Sequence, residues 1–275
     1  MGALKGDFHF VMSNVFVNNA LTRTIGQWWN RLLGAAKDGS FSDQDEMYAS
    51  HRTSRDYICN MFGIATWGMV FPVLTVVITQ LTNAELAGMF SLAFITATLL
   101  MMIGNYGVRT YQVSDIDERH SFADYEVNRF ITCALMMVVG VGYCMVRGYG
   151  GDMLTISIGV YFYRMIDALA DVYEGRLQQQ DKFYLAGISQ AVRSVLVVLF
   201  FSLALLITRN VGVASIVMAV VAALTFVFLT FPLGLIETPK SPRCTFESVV
   251  VIFKQCFPLF LAVFLFNLIE SMPKF

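Results

Sequence analysis

GMFSLAFITATLLMMIGNYGVRTYQVSD, residues 88–115, decides how the rest of the chain is read. It begins as an apolar run of about twenty residues, the length that crosses the hydrocarbon core of a bilayer as a helix. It breaks at Gly104-Asn105-Tyr106-Gly107 and ends in a polar, arginine-bearing segment. Asn105, Tyr106, Arg109, Tyr111, Gln112 and Asp115 therefore fall where such a helix meets the headgroups. The cluster carries more hydrogen-bonding groups than lipid anchoring needs, and it reads as part of a transport pathway.

Outward from this stretch the same pattern recurs. Charge-poor apolar runs cover about 57–81, 86–108, 129–146, 153–173, 185–207, 211–235 and 249–270, separated by short polar turns. Pro72 and Pro258 fall inside two of them, where neighbours or water can satisfy the freed carbonyl. The chain of 275 residues is 56% hydrophobic and 14% charged, against about 25% charged in ordinary soluble domains. The fold class that follows is all-α: a polytopic transmembrane helical bundle of about seven spans lying in the lipid bilayer.

Charge placement sets the expected orientation. With a cytosolic N-terminus, only Arg147, Arg209 and Lys274 of the 19 Lys and Arg residues would lie outside. That asymmetry obeys the positive-inside rule. Residues 8–17 form only a short apolar patch broken by Ser13 and Asn14, which does not read as a signal peptide. Residues 1–55 read as a cytosolic or interfacial tail. Within it Trp28, Trp29, Leu32 and Leu33 set against Arg23, Arg31 and Lys37 suit a short interfacial helix or a poorly ordered lead-in.

Several function classes are excluded at this level. No basic stripe with interleaved aromatics occurs, so nucleic acid is not an expected partner. The five cysteines lie mostly in apolar runs with no CxxC pair, and the three histidines are scattered, so no metal site is expected. There is no phosphate loop, nucleophile elbow or metalloprotease helix, so neither catalytic residues nor a cofactor are expected, and the chain does not read as an enzyme.

The informative charges are inside the spans. Arg164, Asp167, Asp171 and Glu174 are spaced i, i+3, i+7, i+10 and share one helical face, with Arg164 and Asp167 placed to pair. They read either as an interfacial ion-pair ladder or as a polar, gating wall of a cavity. Arg109 follows the glycine break, Arg193 lies about two turns into its span, and Arg129 opens the third span, where a headgroup anchor is its default role. A guanidinium donates bidentate hydrogen bonds to phosphate and keeps its charge, so Arg109, Arg164 and Arg193 are candidate ligands for an anionic headgroup. Gln178 to Asp181 read as a solvated loop.

On these residues the chain resembles the polysaccharide (O-antigen or capsule repeat-unit) flippases of the multidrug/oligosaccharidyl-lipid/polysaccharide exporter superfamily. The resemblance rests on AGMFSLAFITATLLMMIGNYGVRTYQVSD (87–115), Ser121-Phe122 with Tyr125 and Arg129, and RMIDALADVYEGRLQQQD (164–181). RDYICN (55–60) and FPLFLAVFL (257–265) fit as well.

It implies two six-helix lobes around a cavity that opens alternately to each side. It implies a substrate too, a polyprenyl-diphosphate-linked oligosaccharide moved from the cytosolic to the outer leaflet of the bacterial inner membrane. Polysaccharide polymerase and chain-length machinery are the further partners implied. Residues 56–236 would form the first, six-span lobe. Residues 237–275, a loop with Pro239 and Pro242 and then the seventh span, would open an incomplete second lobe. A truncated copy of a longer protein is the expectation that goes with this. Asn105, Tyr106, Tyr111 and Gln112 join the three arginines as candidate diphosphate or sugar ligands, and Asp115 joins Asp167, Asp171 and Glu174 as a gating or ion-pair group.

Three other functions compete with this one. A drug/cation antiporter of the same superfamily would favour buried carboxylates in its spans, and the first three spans have none. A membrane glycosyl polymerase or ligase needs sizeable outer loops, which the short outer turns do not provide. A non-transporting remnant is the last.

Overall fold

The computed structural model describes residues 52–115, 117–236 and 245–271. Among them the chain is helical apart from short turns, with no strand. In order it forms α1 (Arg52–Leu81), α2 (Ala84–Asn105), α3 (Val108–Ser114), α4 (Phe122–Val146), α5 (Gly151–Gln179) and α6 (Phe183–Thr208). Then α7 (Val211–Thr225) passes through a π-helical turn (Phe226–Thr230) into α8 (Phe231–Ile236), and α9 (Phe246–Ser271) follows. Seven of these runs are long and apolar enough to cross a bilayer: α1, α2, α4, α5, α6, α7–α8 and α9. The chain is an all-α polytopic bundle.

Local chemistry accounts for the helix ends. Asn83 caps α2 by accepting from the Leu86 N–H at 2.8 Å, and Asn210 caps α7 by accepting from the Val213 N–H at 3.0 Å. Ser121 and Asp124 form a reciprocal capping box at the start of α4. After α2, Tyr106 (φ 47°) and Gly107 (φ 70°) are both left-handed, which turns the chain sharply into α3. Hydroxyls inside the spans bond back to the preceding turn, as Thr75 does to the Phe71 carbonyl at 2.9 Å and Ser91 to Ala87 at 2.8 Å. A bilayer offers no water to these groups, so such internal bonds are needed.

α5 is the axis of the bundle. It packs against α2, α3, α4, α6, α7 and α8, and 67% of its most apolar stretch is buried against 17% for α9. Contacts between helices in lipid rely on close packing of small residues. α1 and α6 touch at Gly63 and Gly187: a Cβ on Gly63 would lie 2.6 Å from the Gly187 carbonyl oxygen, and one on Gly187 would overlap the Cys59 carbonyl. Elsewhere in the core Phe90 packs against both Phe94 and Phe201, with ring centroids 5.7 and 5.5 Å apart.

Several expected boundaries shift, each for a local reason. α1 starts at Arg52 rather than 57, so Arg52–Asp56 is helix and not lead-in. The polar stretch after the glycine break is not one connection: residues 108–114 form α3, and α4 opens at its capping box, seven residues before Arg129. α5 continues to Gln179, six residues past the expected end at 173, so Gly175–Gln179 is helix instead of a polar connection. The expected features of residues 1–51, and the loop holding Pro239 and Pro242, lie outside the described residues.

Candidate functional site

The charged face of α5 meets three arginines from other helices. At its C-terminal end Asp171 holds two guanidiniums, accepting from Arg109 Nη1 of α3 at 2.7 Å and from Arg129 Nη2 of α4 at 2.8 Å. Arg109 also donates to Gln178 at 3.1 Å. Arg129 also donates to the Gly104 carbonyl at 2.8 Å and to Asn105 Oδ1 at 3.1 Å, which ties it to the end of α2. One turn away Glu174 accepts from Arg193 Nη1 of α6 at 2.8 Å.

The ladder then climbs into the span. Arg193 Nε donates to Asp167 Oδ1 at 2.9 Å, and Arg164 Nη1 donates to Asp167 Oδ2 at 3.3 Å. Trp67 Nε1 of α1 reaches the same oxygen at 3.1 Å, so three donors converge on one carboxylate. Arg164 completes its shell with Thr98 at 3.3 Å and with the Phe94 ring, 4.3 Å from its centroid. Cation–π contact of this kind offsets part of the cost of burying the charge.

Arg164 stands 15 residues before the end of a 29-residue helix, about 22 Å along its axis. It therefore lies about four turns from the helix end, because α5 runs on past the stretch its hydropathy marks.

Four arginines and three carboxylates make up this network, a surplus of one positive charge. Arg129, Arg193, Asp167 and Glu174 are almost completely buried. Arg109 is the most accessible guanidinium of the four, at 29% of its side-chain surface, against 6% for Arg164. Burial works against the Arg109 charge, but the Asp171 and Glu174 carboxylates outweigh it and raise the group above its ordinary range.

Arg109 opens onto a cleft of about 220 Å³ between the α2–α3 elbow and α9, whose walls also include Asn105, Gly107, Asp171, Leu259 and Phe260. Tyr106 fixes α9 beside this cleft. Its ring stacks on Phe260 at 4.7 Å and meets Phe253 edge-on at 5.3 Å.

The other residues singled out in the sequence sit elsewhere. Gln112 is buried and donates to the Val172 carbonyl at 3.2 Å. Tyr111 lies against His120 and Tyr125, its hydroxyl 3.3 Å from His120 Nε2. Neither lines the cleft. Asp115 organises the turn before α4, accepting from the Arg119 and His120 N–H groups at 3.0 and 3.1 Å and from the Tyr125 hydroxyl at 2.8 Å. Burial pushes the Asp115 carboxyl up, yet these three donors prevail and hold it below its usual value near 3.8.

Two assignments change. Arg129 is not a headgroup anchor: its side chain is fully buried and paired inside the bundle. Gln178 and Gln179 are not a solvated loop. Gln178 accepts from Arg109, and Gln179 Nε2 donates to the Asp115 carbonyl at 2.7 Å, which straps the turn to the end of α5.

Trp67, Thr98 and Thr230, the last 3.3 Å from Arg193 Nη1, belong to the network without any expectation from sequence. A signal existed only for Arg129, which shares a helical face with Tyr125, Thr132 and Met136. No family profile, no curated protein and no solved structure matches the chain.

Proposed function

We propose that this chain is transport machinery for an anionic lipid-linked substrate, of the kind the sequence resemblance implies: a flippase for polyprenyl-diphosphate-linked oligosaccharide. In that role it sits in the bacterial inner membrane with its N-terminus in the cytosol. The observation that carries the proposal is the charge balance of the α5 network. Buried ion pairs seldom stabilise a bundle better than apolar packing does, and intramembrane ionisable groups mark transport pathways by default. A surplus of guanidinium favours a phosphate-bearing guest, and Arg109 is the member exposed to a cleft. Transport then needs no covalent chemistry.

A cation antiporter of the same superfamily would call on Asp167, the carboxylate deepest in α5. That oxygen pair already receives Arg164, Arg193 and Trp67, and the network sum is positive. The anionic substrate is preferred on that ground.

The test is export in cells whose only copy of the gene carries Arg109→Ala. Surface polysaccharide is expected to fall strongly while the protein still inserts to normal levels, with Arg109→Lys intermediate because a point charge replaces the bidentate fork. Normal surface polysaccharide in Arg109→Ala would refute the proposal.

A further inference from the structure

Asn105 ends α2 at the wall of the Arg109 cleft. Its Oδ1 accepts from Arg129 Nη1 at 3.1 Å. A guanidinium carries donors only, so Arg129 decides which way the amide faces: the oxygen points to Arg129 and the NH2 points away. That NH2 meets no acceptor among the described residues, and Asn105, half-buried, lines the cleft. Arg129 is held in turn by Asp171 Oδ2 and by the Gly104 carbonyl, each at 2.8 Å, with no exposed side-chain surface.

The rest of the polar wall agrees. Open carbonyls at a helix C-terminus repel an anion. Here the Gly104 carbonyl accepts from Arg129 and from Thr132 Oγ1 at 2.7 Å, and the Met102 carbonyl from the Tyr106 N–H at 2.9 Å. Arg109 commits one N–H to Asp171 and one to Gln178, and its remaining N–H groups have no acceptor among the described residues. Both oxygens of Asp171 already hold a guanidinium. Of the side chains on this wall, Thr110 alone has a hydroxyl that can accept as well as donate. A guest here meets donors and almost no acceptor. Phosphate oxygens suit such a wall, whereas a sugar would leave its O–H groups unpaired, at a cost in affinity.

We propose that Asn105 is the specificity-determining residue of the cleft: its NH2, beside Arg109, donates to one phosphate group of the guest, and Arg129 is the positioning residue that keeps the amide turned that way. The neutral, hydroxyl-rich part of a guest is then held outside this cleft. The inference deepens the transport function proposed above and rests on it for the phosphate belonging to a lipid carrier; the donor wall rests on geometry alone.

The test uses the full chain labelled with 15N-asparagine in nanodiscs, with the Asn105 NH2 resonance assigned by its loss in Asn105→Leu. Dodecyl phosphate should shift this resonance saturably and dodecyl glucoside should not. Inorganic diphosphate identifies the source of the phosphate. Binding as tight as that of dodecyl phosphate assigns the cleft to free phosphate, and binding at least about tenfold weaker assigns it to a lipid headgroup; either supports the donor wall. A resonance that moves with neither phosphate, or equally with the glucoside, overturns the proposal.

Two variants separate recognition from support. Asn105→Asp keeps an oxygen for Arg129 and offsets the surplus positive charge, so it should melt no lower than the unsubstituted chain. Its affinity for radiolabelled dodecyl phosphate, measured over empty nanodiscs, should nevertheless fall at least about tenfold. Asn105→Leu lacks the donor without adding charge and should fall about as far; unchanged binding there overturns the proposal. Arg129→Lys keeps the charge without the planar fork, so the Asn105 resonance should split or broaden and the preference for phosphate over glucoside should shrink. A folded Arg129→Lys that keeps both overturns the positioning role, and the Asn105 pair decides the rest whether or not this variant folds. If Arg109→Ala blocks export while Asn105→Leu binds dodecyl phosphate normally, the Asn105 assignment is wrong and the transport function stands. If both Asn105 variants lose phosphate while Arg109→Ala exports normally, the anion site stands and the transport function fails.

Discussion

Asp171 and Arg129 are joined at 2.8 Å across α5 and α4, and Arg129 has no exposed side-chain surface. The second oxygen of the same carboxylate holds Arg109 at 2.7 Å, at the wall of the cleft. One carboxylate thus links a structural arginine to an accessible one. Anything that draws Arg109 away leaves Asp171 to Arg129 alone, so the pair is arranged to keep the bundle neutralised while its partner is engaged.

Removing that carboxylate should be costly. Asp171→Asn leaves Arg129 buried with its charge uncompensated, and an expected loss of about 3–5 kcal/mol follows. Thermal unfolding in detergent checks it. Arg129→Met with Asp171→Asn should lose clearly less than the two single variants summed, because the partners act as a unit. Additive losses would contradict the pairing.

The α1–α6 crossing predicts a contrast between two glycines. A Cβ on Gly187 overlaps the Cys59 carbonyl, whereas one on Gly68 meets nothing within 4 Å. Gly187→Ala should lose about 3 kcal/mol, the upper end of overpacking penalties. Gly68→Ala should be neutral or gain up to about 1 kcal/mol from helix propensity. Comparative melting of the two variants decides this.

Asp115 confers a stability that depends on acid. Its folded carboxyl titrates below its usual value near 3.8, so its contribution is full above that value and is lost as pH falls through the folded value. Asp115→Asn should therefore melt below the unsubstituted chain at neutral pH. The gap should narrow only below about pH 4 and close in stronger acid. A gap constant with pH would show that the charge is not what holds the turn.

Tyr106 is the anchor of α9 at the elbow. Its two ring contacts are worth about 0.5–1.5 kcal/mol each, so Tyr106→Ala should make opening of α9 about tenfold more frequent. Cys256, 1% exposed on α9, reports it. Maleimide labelling of Cys256, followed by peptide mass spectrometry, should speed up correspondingly; an unchanged rate would place the anchor elsewhere.

Much of this arrangement is legible in the sequence. Apolar run length defines seven spans, and the 3.6-residue period puts Arg164, Asp167, Asp171 and Glu174 on one face and pairs the first two. The rest was not legible for physical reasons. The end of α5 looks like a loop because Arg176, Gln178 and Gln179 are polar. Their partners, Glu118 for Arg176 at 3.0 Å among them, lie some sixty residues away and leave no local trace. Arg129 looks like an anchor because span hydropathy starts after it, while a capping box at Ser121 starts the helix two turns earlier. Trp67 is one aromatic residue in an apolar helix, and only the fold brings its N–H to Asp167.

The most direct test of the proposed anion site uses Trp67 as its reporter. The chain has three tryptophans, so Trp28→Phe with Trp29→Phe leaves only the one bonded to Asp167. This protein in nanodiscs is titrated with polyprenyl diphosphate and, separately, with neutral polyprenol, and Trp67 emission is followed. A site built on the α5 arginines predicts a saturable change with the diphosphate at least about tenfold tighter than with the alcohol, and Arg109→Ala should abolish the difference. Equal affinity for the two lipids, or a difference that survives Arg109→Ala, would contradict it.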